Sequence, residues 1–487
     1  MRSFRSRVVM GLGAALILSS PALAQDVRST ATPVPEVLNP NANPLQFPTR
    51  SEEVQIKVNE PITLQQAFEL ARRHNRALQV TELQLRASQS ALQAARASEN
   101  PTVTFQSNLS YSDSAQGEFS VRQQQNSTLT SLANSQNNQN TISAPLTGTL
   151  EVSYPLYTSG RTTANIQAAE RQVRYNELQY ELQAEQLRLD VSTDYYALQQ
   201  ADEQVRISRA SVRNAAISLR DAEARERAGV GTRFDVLQSQ VQLANAQQTL
   251  TSALSQQQIA RRQLAQRLSL SQSANITAAD AIEVVGLWDL SLENSIVLAF
   301  KNRAELEQQL VQREINERQR AAILAALGPQ LNVFANYNVY TDFDARPNPG
   351  LADGYSVGAR LSWSLYDGGV AQAQADQQTR NMEIAEVRFA DTRNQVRFQV
   401  EQAYYQLQSN FANIQTAALA LEQATEALRL ARLRFQAGVG TQTDVINAET
   451  ALTQAESNRL QAIISYNRAL ASLQRAISNF STPLGST

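Results

Sequence analysis

The chain has no cysteine, a single histidine and only two lysines, Lys57 and Lys301. Without cysteine there are no disulfides, and no thiol stands at a processed end to carry a lipid anchor. Stability must come from packing or assembly. His74 has no clustered acids beside it and reads as a helix-surface residue rather than a metal ligand. No nucleophile, base or phosphate-loop constellation is visible, so neither a catalytic site nor a metal or cofactor site is expected. Lysine and arginine together number 43 against 45 acids, with no basic stripe of the kind nucleic acid requires. Beyond the N-terminus no apolar run is long enough for a transmembrane helix.

Arg2, Arg5 and Arg7 precede the apolar run Val8 to Leu18, and Ala22-Leu-Ala24 supplies small residues before Gln25. This predicts a secretory signal peptide over 1–24, the apolar run being too short for an anchor helix. Residues 25–60 carry Pro33, Pro35, Pro40, Pro44 and Pro48 with little apolar content, and read as an extended linker.

The rest is a tandem duplication. Residues 156–268 and 365–477 align without a gap at an offset of 209: Leu156 with Leu365, Tyr195 and Tyr196 with Tyr404 and Tyr405, Arg225 with Arg434. The best match is Ala228-Gly-Val-Gly-Thr232 with Asp235 and Val236, repeated as Ala437-Gly-Val-Gly-Thr441 with Asp444 and Val445. Ile62 to Pro101 repeats as Leu290 to Pro329 at an offset of 228, which leaves 19 extra residues (228 minus 209) between Pro101 and Leu156. The expected units are 61–288 and 289–480, with a tail over 481–487.

From Arg161 to about Ala228, and from Val370 to about Ala437, there is no proline, almost no glycine, and abundant Ala, Leu, Gln, Glu and Arg. Apolar residues recur at spacings of three and four, as in Leu178, Leu182 and Leu189 or Val396, Val400 and Tyr404. Each stretch predicts one helix of about 100 Å at 1.5 Å per residue. Shorter helices are expected over Ile62–Asn100 and Arg233–Leu268, and over Leu290–Leu327 and Thr443–Ile477. The two short helices of a copy would stack end to end beside the long one. The leftover segments Gln55–Pro61 and Ser269–Asp289 would then collect at the midpoint.

Between the outward and the long helix the periodicity changes to two. Val103, Phe105, Leu109 and Tyr111 alternate with polar residues, as do Leu150, Val152, Tyr154 and Leu156. The second copy gives Leu331, Val333, Tyr337 and Val339, then Tyr355, Val357, Ala359, Leu361, Trp363 and Leu365. The hairpins span 102–157 and 330–366. Strands of about ten residues, apolar on one face and with aromatics near the ends, fit a transmembrane β-barrel; a soluble sheet with one buried face is the competing reading. Four strands cannot close a barrel whose edges must be paired in lipid, so oligomerisation is required, and three chains would supply twelve strands. The lumen face would be mainly Ser, Thr, Asn and Gln, with Glu151 and Arg360 carrying opposite charges at equivalent repeat positions. Ser112–Ser143, rich in Gln, Asn and Ser, would form an outer loop.

The duplicated unit, together with Gly229-Val-Gly-Thr-Arg-Phe-Asp235 and Gly438-Val-Gly-Thr-Gln-Thr-Asp444, resembles the TolC family of bacterial outer-membrane export factors across almost the whole mature chain. The resemblance implies an α+β membrane protein, a homotrimer whose outer-membrane β-barrel continues into a long periplasmic α-helical tunnel. It implies a periplasmic membrane-fusion adaptor at the tip, and through it an inner-membrane pump or ABC transporter. Glycines 229, 231, 438 and 440, with Thr232 and Thr441, would form the tip turns that adaptor hairpins approach. Asp235 and Asp444 match acids that line the closed aperture, where carboxylate rings favour cations; each also fits the first turn of a helix capped by Thr232 or Thr441. The chain departs from the family pattern at Asn447, where a second acid is expected, at Phe435, where a tyrosine is expected, and at Gly440, where an arginine is expected. The family's latch contacts therefore do not carry over. Arg225, Arg233 and Arg434 are candidate substitutes against the competing reading of a solvated helix face.

The function expected is that of a passive efflux or type I secretion conduit gated at its periplasmic tip. The alternative is a periplasmic coiled-coil adaptor or spacer without a pore, which would usually have one helical hairpin flanked by compact β domains. The cargo is not legible.

Overall fold

The computed structural model describes residues 38, 45, 47–56, 58–113, 115, 142–271, 274–343 and 350–478. The expected signal peptide, most of the proline-rich stretch, nearly all of the 112–143 loop and the C-terminal tail lie outside the described residues.

The helices reproduce the duplication residue for residue. The long helices are α3 (Arg161–Arg227) and α7 (Val370–Gln436), each of 67 residues. The returning helices are α4 (Arg233–Arg267) and α8 (Gln442–Ala476), each of 35. Every one of these boundaries in the second copy falls 209 residues after its counterpart. The outward helices differ from expectation, because each is broken once. Leu64–His74 (α1) gives way to Arg76–Ala97 (α2), and Leu292–Asn302 (α5) to Ala304–Ala325 (α6). One extended residue makes each break: Asn75 with ψ 122°, Arg303 with ψ 111°. Apolar periodicity runs through a single extended residue, so the interruption is hidden from a reading of spacing alone.

Those two residues sit where the stacked helices meet. Asn75 accepts from the Leu78 amide at 3.0 Å, restarting the helix, while its Nδ2 donates to the Arg267 carbonyl at the end of α4, 2.9 Å away. Arg303 donates to the Ala476 carbonyl at the end of α8 at 3.1 Å and to both oxygens of Glu305. Arg475 bridges Glu305 and Glu185, joining α8, α6 and α3. Both α2 and α4 lie along α3, and α6 and α8 both lie between α3 and α7. The segments expected to collect at the midpoint do so, with β1 (Val58–Ile62) pairing in parallel with β6 (Ala274–Ala278). The strand thus begins within the stretch expected to be linker. Tyr195 anchors this patch, its hydroxyl donating to Asp280 Oδ2 at 2.7 Å and accepting from the Asp280 amide at 3.2 Å. Around it Ile62, Leu70, Val191, Leu264, Leu268, Ile276 and Ile464 form one core, while Val396, Val400, Tyr466, Leu470 and Leu473 form its counterpart in the second copy.

Four strands form one antiparallel sheet: β2 (Thr102–Leu109), β5 (Pro145–Tyr157), β7 (Gln330–Asp342) and β8 (Ala352–Ser362), in the order β2-β5-β7-β8. A short pair, β3 (Ser112–Asp113) and β4 (Ile142–Ser143), continues the first hairpin. The strands end sooner than the alternation suggests, leaving Tyr111, Trp363 and Leu365 outside them. Among the described residues no helix is long and apolar enough to cross a membrane.

Candidate functional site

The register sorts the sheet residues by face. Thr104 pairs with Glu151, Glu151 with Asn336 and Asn336 with Ser356. Four residues along, Asn332 pairs with Arg360. Period-two alternation therefore puts Glu151 and Arg360 on one polar face with Thr102, Gln106, Thr149 and Asn338. The Arg360 guanidinium lies 5.1 Å from the centroid of the Phe334 ring, and a Cβ at Gly358 would come within 2.9 Å of that ring, so glycine makes room for the stack. The opposite face carries Val103, Phe105, Val152, Tyr355, Val357 and Leu361, between 39% and 84% exposed. Nothing among the described residues buries it. The competing expectation of a soluble sheet with a buried face fails on this point, since so continuous an apolar surface is not left in water.

At the other end of the molecule the two turns are built alike. In each, a Schellman cap closes the long helix: Val230 N–H donates to Arg225 O and Gly229 N–H to Glu226 O, repeated by Val439 to Arg434 and Gly438 to Phe435. The residue after the cap must be left-handed, and Gly229 (φ 74°) and Gly438 (φ 77°) supply this without strain. Gly231 and Gly440 answer a different demand. A Cβ at Gly231 would lie 2.9 Å from Arg225 Cβ and 3.0 Å from the Glu226 amide nitrogen; at Gly440 the nearest approach is 3.1 Å, to Arg434 Cβ. The next helix then begins with a reciprocal capping box. Thr232 Oγ1 accepts from the Asp235 amide at 3.2 Å and Asp235 Oδ2 from the Thr232 amide at 3.1 Å. Thr441 and Asp444 repeat the box at 3.2 and 2.9 Å. The Thr441 amide and hydroxyl, with a smaller contribution from Arg434, hold the Asp444 carboxyl below its usual range.

The expected gate residues differ in exposure. Asp444 and Asn447 are exposed on α8 and Asp235 is half-buried on α4. Phe435 is 7% exposed and packs with Leu428 and Val445, so its ring is the core of the tip rather than part of a polar surface. Arg233 reaches Glu226 at 3.7 Å with most of its side chain in solvent, which fits a solvated face. Arg225 does not fit that reading. It donates to the Phe435 carbonyl at 2.8 Å and lies 4.6 Å from the centre of its ring, tying the first copy's tip to the second's.

Further ties between the copies had no signal in the spacing. Glu449, 4% exposed, accepts from Ser218 at 2.7 Å and from Arg432 at 3.0 Å, and Arg432 also donates to Asn214 at 3.1 Å. Gln442, 1% exposed, donates to Ser239 at 2.9 Å. Buried Glu449 Oε2, Arg432 Nε and Gln442 Oε1 have no partner among the described residues. Unsatisfied polar atoms of this kind make a buried network less stable than a fully paired one. The one available clue was difference between the copies: Gln442 aligns with Arg233 and Glu449 with Gln240. No group of three His, Cys, Asp or Glu residues among the described ones is arranged to hold a metal ion.

A model of the outer membrane efflux protein family matches residues 67–269 and 295–479, which takes in the four-stranded sheet and nearly all of the helices of both copies. The chain is 25% identical over 295 residues to the alkaline protease secretion protein AprF of Pseudomonas aeruginosa, covering 58% of this chain and 60% of that protein's length. It is 28% identical over 326 residues to the cobalt-zinc-cadmium resistance protein CzcC of Cupriavidus metallidurans, covering 65% of this chain and 73% of that one. Among solved structures, CusC superposes with a TM-score of 0.70 at 17% identity over 93% of this chain and 99% of its own, a likeness of fold. With both repeats matched, the chain belongs to the outer membrane efflux protein family, the TolC-like proteins of the bacterial outer membrane.

Proposed function

We propose that this chain is one of three protomers of an outer-membrane channel serving a tripartite efflux or type I secretion system. The observation that carries the reading is the single four-stranded sheet, polar on one face and apolar on the other, with β2 and β8 at its ends. An open sheet edge is not tolerated in lipid, and three such sheets joined edge to edge give a closed twelve-stranded barrel. Glu151 and Arg360 then face its lumen. The paired long helices continue the passage through the periplasm. A pore-less spacer would account for the helices but would leave the apolar sheet face in water. In this reading residues 1–24 are the export signal, the repeats are 61–288 and 289–480, and the protein moves solutes without chemistry of its own.

The tip turns at Gly229, Gly231 and Thr232 and at Gly438, Gly440 and Thr441 are the surface offered to a periplasmic adaptor, through which an inner-membrane pump or ABC transporter supplies energy. Asp235, Asp444 and Asn447 gather at the aperture, with Phe435 packing beneath it. The test is to extract the mature protein from outer membranes in detergent, measure its mass, and reconstitute it in planar bilayers. A three-chain species giving discrete conductance steps is expected. A water-soluble monomer without channel activity would overturn the reading.

A further inference from the structure

We infer that Arg468 is the centre of an oxyanion-binding site on the tunnel wall, taking a carboxylate or phosphate group carried by a solute. A concavity of about 350 Å³ opens over α8 between the long helices α3 and α7, lined by Thr193, Gln406, Asn410, Ser465, Ser472 and Arg468. No acid lines it.

The face on which it opens follows from what covers the other side of α8. Tyr466 donates to the Gly286 carbonyl at 2.7 Å, and Asn467 bonds Val285 N–H and the Glu283 carbonyl, so these residues point to the segment after β6. At 100° per residue, Ser465, Arg468 and Ser472 face the opposite way. In the trimeric channel proposed above, on which the inference rests, that segment lies outside the tunnel and the concavity inside it.

The arginine is unlike the others near the midpoint. Arg267, Arg303 and Arg475 each pair with a carboxylate at 2.8 Å or less. Arg468 makes no ion pair or hydrogen bond among the described residues, and its Nε is buried without a partner. Desolvation lowers its pKa, opposed by the charge of Asp194. Asp194 is itself committed, one oxygen to Gln263 and the other to Arg267, both at 2.8 Å. Packing does not require a cation here either. The position 209 residues earlier in the duplicated scaffold is Ile259. Gln406 and Ser472 likewise lack hydrogen-bond partners among the described residues and can donate to the same ligand. A guanidinium fork with neutral donors around it matches a carboxylate or phosphate, whose charge-assisted hydrogen bonds are stronger than neutral ones.

The test uses the mature full-length protein in detergent, dialysed to equilibrium against radiolabelled inorganic phosphate at low ionic strength, where screening is weak. Saturable binding is expected, weakened roughly tenfold or more by Arg468→Gln. Thr193→Glu should abolish it with the arginine still in place, by supplying an internal carboxylate; unchanged thermal melting shows that both variants are folded. Absence of saturable binding by the wild type, or equal binding by Arg468→Gln, overturns the site. A second arm reads the potassium-to-chloride permeability ratio in bilayers, which should rise on Arg468→Gln. Phosphate binding that depends on Arg468 alongside an unchanged ratio, or no channel at all, supports the site and counts against the tunnel reading.

Discussion

Gly231 and Gly440 stand at the same step of the two tips, yet a methyl group meets a tighter wall at Gly231. Gly231→Ala should therefore lower the melting temperature of the helical circular dichroism signal more than Gly440→Ala, and the reverse order would discount the contact with the Arg225 backbone. Asp444 has two roles to be separated. As the acid of a capping box its folded pKa lies below that of an unfolded aspartate, about 3.9. The sign follows: the contribution is in place above that value and is lost as pH falls through the lower folded pKa. Thr441→Val should move the Asp444 pKa back up, measured by carboxyl NMR titration. As members of an aperture ring, Asp235 and Asp444 would instead resist ion passage. Asp235→Ala with Asp444→Ala is expected to raise single-channel conductance and weaken block by multivalent cations; unchanged currents leave only the cap. The caps were legible in the sequence because they rest on contacts three residues apart. The partnership of Arg225 with Phe435 was not, because 210 residues separate them.

The stacked helices depend on one residue at each junction, and the copies have solved the problem differently. Asn75 uses neutral hydrogen bonds, whereas Arg303 brings a charge that Glu305 must balance. Around Arg475 the two acids are shifted in opposite directions. Burial raises Glu185 beyond what Arg475 and Ser478 recover. Burial also raises Glu305, but Arg303 and Arg475 outweigh it and hold it low. Ionised Glu305 thus stabilises the fold above the unfolded carboxyl range and loses that effect as pH falls through its depressed pKa, while ionisation of Glu185 opposes folding as pH rises through its raised one. Glu305→Gln should cost about 3 kcal/mol at neutral pH by leaving Arg303 buried without its acid. Glu185→Gln, which keeps an acceptor for Ser478, should cost less than about 0.5 kcal/mol or stabilise. Denaturant titrations of the two variants decide it, and equal losses would refute the assignment. Helix existence and type were legible from composition and spacing. The breaks at Asn75 and Arg303 were not, since one extended residue leaves the apolar stripe in phase.

For the whole molecule, equal long helices bring both tips to one level. Val230 and Val439 are exposed at the two tips, 66% and 70%. Because the chain has no cysteine, Val230→Cys with Val439→Cys introduces the only thiols. Oxidation or a short bis-maleimide should reduce transport and conductance if the tips must separate. Currents indifferent to a cross-link shown to have formed would move the restriction elsewhere.

The sequence by itself determined the duplication, the length of the long and returning helices, the alternation of the strands and the caps at the tips, because each depends on residues close in the chain or on a repeat of fixed offset. Tertiary structure alone decided that both hairpins join in one sheet in the order β2-β5-β7-β8, that Arg225 is tied to Phe435, and which polar side chains cross between the copies. Those are contacts between segments some two hundred residues apart. Their selection rests on shape and hydrogen-bond geometry, which leave no periodic trace in the order of the residues.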